Sequence, residues 1–186
     1  MDGRPTRVAV VGTGAWWGRE HARVFSSRPD AELCAVVGRS PERTGARASE
    51  FGVNGYVDLG EMLERERPDL VSLCLPNEGH FEPTLAVIRA GFPLFVEKPL
   101  VFDLDQADIL LREAAARSLF FGINFNHRYA RPVELAAEAV AAGRLGELVL
   151  ATWRFGGDPG TSGHPHANLI ETQCHGLDML EHLCGP

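Results

Sequence analysis

A doubly wound α/β fold is what this sequence predicts, on three observations. Short apolar runs rich in Val and Leu alternate with longer stretches of helical character, a glycine turn follows the first run at once, and turn residues punctuate the remainder. Strands are expected over residues 7–11, 33–37, 70–75, 94–96 and 119–123, with a weaker one near Tyr56. Helices are expected to start near Trp17, Arg43, Leu59, Phe81 and Leu104, and Gly52 and Gly91 stand where a left-handed residue closes a helix. These elements make one domain, residues 1–124, with a parallel sheet between helical layers.

Residues 125–186 read as the start of an α+β domain that is incomplete. A helix is expected over 132–142, closed by Gly143, and alternation over 147–155 predicts a strand. A loop with four Gly and two Pro between 156 and 165 then leads to a helix over 169–183. One strand and one helix cannot bury a core by themselves.

The 186 residues are 45% hydrophobic and 23% charged, the composition of a globular chain with room for one domain and part of another. A formal net charge of −7 without Lys/Arg clusters argues against a nucleic-acid partner, because a phosphate backbone is bound by clustered cations. Only a short polar stretch precedes the first apolar run, and no 18 apolar residues are consecutive. No signal peptide and no membrane span are therefore expected, and the cytoplasm is the expected location. Cys34 and Cys74 lie in apolar runs and read as core residues. Cys174 and Cys184 have His164, His166, His175 and His182 nearby in sequence, but the spacing matches no zinc pattern and no metal is expected.

The run Val8 to Val11 enters Gly12-Thr13-Gly14-Ala15-Trp16-Trp17, a strand followed by a glycine turn and a helix start. Gly12 permits the tight turn, and Gly14 lets backbone amides approach a pyrophosphate on the helix N-terminus. Trp17 occupies the place of the third glycine of G-x-G-x-x-G, with Gly18 one later, so helix and strand are expected to pack a little differently here. After the second strand the chain reads Gly38-Arg39-Ser40, with Arg43 further on, and offers no carboxylate to a ribose. A guanidinium and a hydroxyl beside a glycine suit a 2′-phosphate, so NADP is the expected cofactor. If Arg39 is only a solvated loop residue, NAD binds instead.

At Cys74-Leu75-Pro76-Asn77-Glu78-Gly79-His80 and Val96-Glu97-Lys98-Pro99-Leu100 the sequence resembles the Gfo/Idh/MocA oxidoreductases, a family of sugar and polyol dehydrogenases. Asn124-Phe125-Asn126-His127-Arg128 and Glu171-Thr172-Gln173-Cys174-His175-Gly176-Leu177-Asp178 are further matches, and the resemblance covers essentially the whole chain. It implies that Lys98 reaches the reacting hydroxyl, that His175 is the acid/base, and that Glu171 stands where the family usually has Asp. Leu75, Pro76, Asn77 and His80 fall in the loop near the nicotinamide half of the cofactor, Glu97 is an orienting residue, and Asn126 joins the cofactor set. Chains of the family are nearly twice as long. The resemblance thus implies a small sugar or polyol substrate and, for a full-length protein, a homo-oligomer.

The chemistry is consistent on its own terms. Taking a hydride from a carbinol requires removal of the hydroxyl proton, work for an imidazole that titrates near neutrality, and an ammonium beside the oxygen stabilises developing charge. Glu171, His175, Asp178 and His182, spaced four, three and four apart, are expected on one stripe of the last helix facing the cofactor cleft. Ile170, Cys174, Leu177 and Cys184 are expected on an apolar face that docks the helix. Asp178 and His182 read as structural, Trp16 and Trp17 as packing residues at the mouth of the turn, and His164 and His166 as loop residues. Two alternatives stay open: a redox-assisted glycosidase of the same family, and a non-catalytic dinucleotide-binding module if Pro186 is the true C-terminus.

Overall fold

The computed structural model describes residues 3–156 and 162–185, which divide into two compact units, 1–123 and 124–186. The first is a six-stranded parallel sheet in the order β3-β2-β1-β4-β5-β6. Its strands are β1 (Thr6–Val11), β2 (Ala31–Val37), β3 (Asn54–Tyr56), β4 (Leu70–Leu73), β5 (Leu94–Val96) and β6 (Phe121–Ile123). Helices α1 (Trp17–Ser27), α2 (Pro41–Phe51), α3 (Leu59–Glu66), α4 (Phe81–Arg89) and α5 (Leu104–Ala116) connect them. This is the expected doubly wound α/β architecture. The chain winds outward from β1 through β2 and β3, then returns to β4 on the other side, and ligand clefts of such sheets lie where the order reverses.

The strands form here because their apolar runs are covered on both faces. Val8, Ala9, Val10, Val36, Val71, Leu73, Leu94 and Val96 are all essentially inaccessible. Cys34 and Cys74 are buried in the same layers, as expected, and burial, the largest influence, pushes the Cys34 thiol up to about 11. Helix starts are fixed by side-chain caps: Ser40 accepts from the Arg43 amide, Asp58 from the Glu61 amide, and Asp103 from the amides of Asp105 and Gln106. Gly52 at φ 68° and Gly91 at φ 85° take the left-handed conformation.

Four strand boundaries differ from expectation: β1 begins one residue earlier, at Thr6, and β2 two residues earlier, at Ala31, and two further strands are shorter. β4 ends at Leu73: the Cys74 amide still bonds the Val11 carbonyl, and the chain leaves the sheet toward Pro76. β6 starts at Phe121 because the amides of Arg117, Ser118 and Leu119 are still engaged by carbonyls of α5, and Ser118 is left-handed at φ 53°.

Glu66, at the end of α3, ties the edge strand β3 to β1. Its carboxylate accepts from Tyr56 Oη at 2.7 Å, Asn54 Nδ2 at 2.8 Å and Arg7 Nη2 at 2.9 Å. Burial alone would push this carboxyl up, but the three donors outweigh it and hold it below the ordinary glutamate range. The same contact pushes the Tyr56 phenol up to about 12.

The second unit contains α6 (Arg131–Ala141) and α7 (Cys174–Cys184), with a π-helical turn at Asn168–Gln173 leading into α7. Gly143 ends the α6 region at φ 67°, as expected. The strand expected over 147–155 is not formed: these residues pair with no other strand among the described residues, and a strand without a ladder partner has nothing to hold its extended backbone. The segment is anchored by side chains instead. The Trp153 indole donates to Gln173 Oε1 at 3.1 Å and lies against Gly176, where an added β-carbon would meet the ring at 2.2 Å. Of the glycine-rich loop, residues 157–161 lie outside the described residues.

Two outcomes are expected. Gly176→Ala, by forcing Trp153 off α7, costs about 1–3 kcal/mol of the second unit's stability, read as a lower denaturant midpoint. Because the folded carboxyl of Glu66 is depressed, its contribution is present above the unfolded pKa and is lost as pH falls through the folded one. Urea titrations of Glu66→Gln should therefore show a deficit of about 1–2 kcal/mol at pH 7 that shrinks toward zero in acid.

Candidate active site

The turn after β1 is shaped by close backbone approaches. Gly12 has φ 128°, and a β-carbon there would lie 2.1 Å from the Cys74 carbonyl oxygen. A β-carbon on Gly18 would lie 2.1 Å from the Gly12 carbonyl oxygen. Gly18 therefore does the close helix–strand packing for which position 17 was the expected place, and Trp17 is displaced outward. Around Gly14 nothing lies within 4 Å of an added β-carbon, so the approach to the turn is open. The caps that close α2, α3 and α5 have no counterpart on α1: Trp16 makes no side-chain capping bond, which leaves the first amides of α1 to an anionic ligand. This cradle fits a pyrophosphate.

Trp16 and Trp17 are exposed, at 72% and 46%, and so do not pack at the turn as expected. The helix starts at Trp17, and its inward face is carried by Gly18, His21 and Ala22. Thr13 is buried, and its hydroxyl fills the space beside Gly38, where a β-carbon would meet Thr13 Oγ1 at 2.1 Å and Thr44 Oγ1 at 2.7 Å. Gly38 consequently has no room for a side chain while Thr13 and Thr44 stand as they do.

A cavity of about 430 Å³ opens between the ends of β1, β2 and β4. Val11, Val37, Leu75 and Pro76 give it apolar walls, and Arg39 and Glu78 supply its charged groups. Ser40 caps α2 by accepting from the Arg43 amide, which leaves its hydroxyl proton to donate. Arg43 is exposed, and Arg47, one turn further along the same face of α2, donates to the Gly14 carbonyl at 3.3 Å. Sequence reasoning missed Arg47, although its spacing of four from Arg43 was the available signal.

Asn77 begins a short 3₁₀ turn, Asn77–Gly79, and His80 ends it fully buried. The His80 ring nitrogens lie 2.7 Å from the Pro99 carbonyl and 2.9 Å from the Leu75 carbonyl, so this ring ties the β4 loop to the segment after β5. In that segment Glu97 is buried, Lys98 is half-buried, and the Glu97 amide donates to the Leu73 carbonyl at 2.9 Å. Glu97 Oε1 is 2.9 Å from His21 Nε2, and His21 Nδ1 is 2.8 Å from Ser72 Oγ. The sequence reading gave His21 and Ser72 no role.

In the second unit Glu171, His175 and Asp178 are buried. Of the face expected to dock the last helix, Leu177 is 60% exposed and Cys184 is exposed, whereas three members of the ionisable stripe are buried and His182 is exposed. Each buried group meets a polar or aromatic partner. Arg128 grips Asp178 through both carboxylate oxygens, with Nε at 2.8 Å from Oδ2, and this hydrogen bonding raises the Arg128 guanidinium's pKa. The His175 ring stacks on His127 at 3.9 Å between centroids, with Phe125 edge-on. Glu171 Oε1 accepts from the Ser162 amide at 3.1 Å. Asn126 is exposed at the start of the 3₁₀ turn Asn126–Tyr129. His127, Arg128 and Trp153 are participants to which the sequence reading assigned no part.

Among the described residues no group of His, Cys, Asp and Glu could hold a metal ion, and no helix is long and apolar enough to cross a membrane.

Comparison with known proteins matches residues 6–125 to the Gfo/Idh/MocA family model, described as an oxidoreductase family with an NAD-binding Rossmann fold. D-glucoside 3-dehydrogenase of Escherichia coli K12 is 34% identical over 155 residues, 83% of this chain and 44% of that protein. Myo-inositol 2-dehydrogenase of Thermotoga maritima is 30% identical over 142 residues, 76% of this chain and 42% of its own length. The apo structure of scyllo-inositol dehydrogenase from Lactobacillus casei shares the fold, with a TM-score of 0.83 at 21% identity over all of this chain and 56% of that one. The chain spans under half the length of these two curated relatives. The phosphate turn, the reversed strand order and the glutamate–lysine–proline segment agree with the match: the chain belongs to the Gfo/Idh/MocA family of oxidoreductases.

Proposed function

We propose that this chain forms the nucleotide-binding domain, residues 1–124, and the start of the substrate domain, 125–186, of an NAD(P)-dependent dehydrogenase acting on a sugar, inositol or related polyol. The observation that carries the reading is the uncapped N-terminus of α1 over an open Gly14, reached through a turn that only glycine backbone can make. Gly12, Thr13, Gly14 and Ala15 would hold the pyrophosphate through their amides, and Leu75, Pro76 and Asn77 would flank the rest of the dinucleotide. The bound nicotinamide supplies the hydride acceptor or donor. Lys98 gives an ammonium to the oxygen that is losing or gaining its proton, stabilising its charge. The His175 imidazole takes the hydroxyl proton in oxidation and returns it in reduction, while Glu171 orients the hydroxyl.

The reading prefers NADP to NAD. Thr13 and Thr44 crowd Gly38 and no carboxylate stands at the end of β2, while Arg39 lines the cavity and Arg43 and Ser40 stand at the start of α2. In a longer protein carrying both units, the exposed Val149 and Leu150, at 91% and 81%, support self-association.

Thermal shift at equal concentrations should show NADP raising the Tm more than NAD, and Arg39→Ala should weaken NADP about ten-fold and NAD little. No shift by either nucleotide would overturn the binding claim. In a protein carrying both units, a polyol panel followed at the reduced-nicotinamide absorbance should show kcat falling roughly 10²–10⁴-fold for His175→Ala. Lys98→Ala is expected to lose about 10²–10³-fold. Full activity in the double variant would sink the mechanism.

A further inference from the structure

Behind Lys98 runs a row of buried polar groups that hydride chemistry by itself does not require. Ser72 in β4 is inaccessible, and His21 in α1 and Glu97 after β5 are exposed by only 9% and 5%. Cys74 Sγ lies 3.9 Å from Ser72 Oγ, Ser72 Oγ lies 2.8 Å from His21 Nδ1, and His21 Nε2 lies 2.9 Å from Glu97 Oε1. Burial foremost, and then the charge of Glu97, raise the Cys74 thiol, so the sulfur keeps its proton and can donate it. The Glu97 carboxylate can only accept, so His21 Nε2–H donates to it; a neutral ring then accepts at Nδ1 from the Ser72 hydroxyl, which leaves Ser72 Oγ to accept from the Cys74 thiol. Donors aligned in one direction strengthen one another, and a single tautomer of the ring satisfies both of its neighbours.

The row joins three parts of the fold. His21 stands one turn beyond Trp17 on the inward face of the helix whose N-terminus carries the phosphate cradle, Ser72 is in the strand beside β1, and Glu97 is the residue before Lys98. We propose that Ser72 and His21 are positioning residues: by holding Glu97 they fix the Lys98 backbone to α1, so that a dinucleotide seated on α1 sets the geometry of the lysine. The proposal rests on the reading that Lys98 works at the cofactor. A row that served the core alone would stabilise the fold and leave Lys98 indifferent to its loss.

The sequence provides a direct probe, since Lys98 is its only lysine. Expression of the 186-residue chain with [ε-¹³C]lysine gives one ε-methylene signal, followed as NADP is added to saturation, with nucleotide affinity read separately from tryptophan fluorescence. Saturating NADP should move the signal in the wild type. In Ser72→Ala, which removes one hydroxyl, the held geometry should become about five-fold less populated, so the displacement shrinks while nucleotide still binds. In His21→Phe, which removes both ring bonds, the displacement should be lost; if that variant does not fold, Ser72→Ala alone decides. A wild-type signal unmoved by bound NADP overturns the placement of Lys98 at the cofactor, and the proposal with it. A wild-type signal that moves, with equal displacement in the variants, overturns the positioning role and leaves the proposed function standing.

Discussion

Around the end of β1 the chain passes so close to itself that side chains are excluded, and the arrangement of the first unit follows from that. Gly12 lies on the Cys74 carbonyl and Gly18 on the Gly12 carbonyl, so the loop after β1 is pressed between the tip of β4 and the first turn of α1. A larger residue at either point would push α1 away from the sheet. With α1 held down, its amides converge on the place where the strand order reverses, and the ends of β2 and β4 become the walls of one cleft. The phosphate cradle is thus a consequence of packing, and the absence of a side-chain cap on α1 is what keeps it available.

A second theme is the burial of ionisable groups only in company. Glu66 meets Arg7, Asn54 and Tyr56; Glu97 meets His21; Asp178 meets Arg128. Such groups are costly to desolvate and add less net stability than their geometry suggests, so their value lies in fixing one arrangement over its neighbours. Glu66 ties β3 to β1, whereas Glu97 and Asp178 lie beside residues to which chemistry is assigned. In the second unit Leu177 is exposed, while His175 and Asp178 are buried on α7 together with Met179.

Much of the fold was legible because the apolar runs of a parallel sheet are continuous and need no partner to be recognised. The helix starts at Trp17, Leu59, Phe81 and Leu104 were legible too, from local chemistry. What escaped depended on distant residues. The partners of His21 are 51 and 76 positions away, and nothing near it in sequence announces them. Alternation over 147–155 suggested a strand, but a strand exists only where another chain segment supplies the ladder. The burial of Asp178 and His175 on α7 was not legible, because the partners that accompany it, Arg128 and His127, stand nearly fifty positions earlier. The glycine motif was legible as chemistry, while its one-residue displacement was resolved only by seeing which atom Gly18 touches.

The central place of β1 also bears on how the chain is made. Of the six strands β1 is made first, gains β2 on one side early, and has an open flank until Leu70–Leu73 has been synthesised. Throughout that interval an apolar edge is exposed to other nascent chains. Until β4 follows, β1 has a ladder partner on one side alone, so the sheet of the first unit closes around its central strand only when the fourth strand has been made.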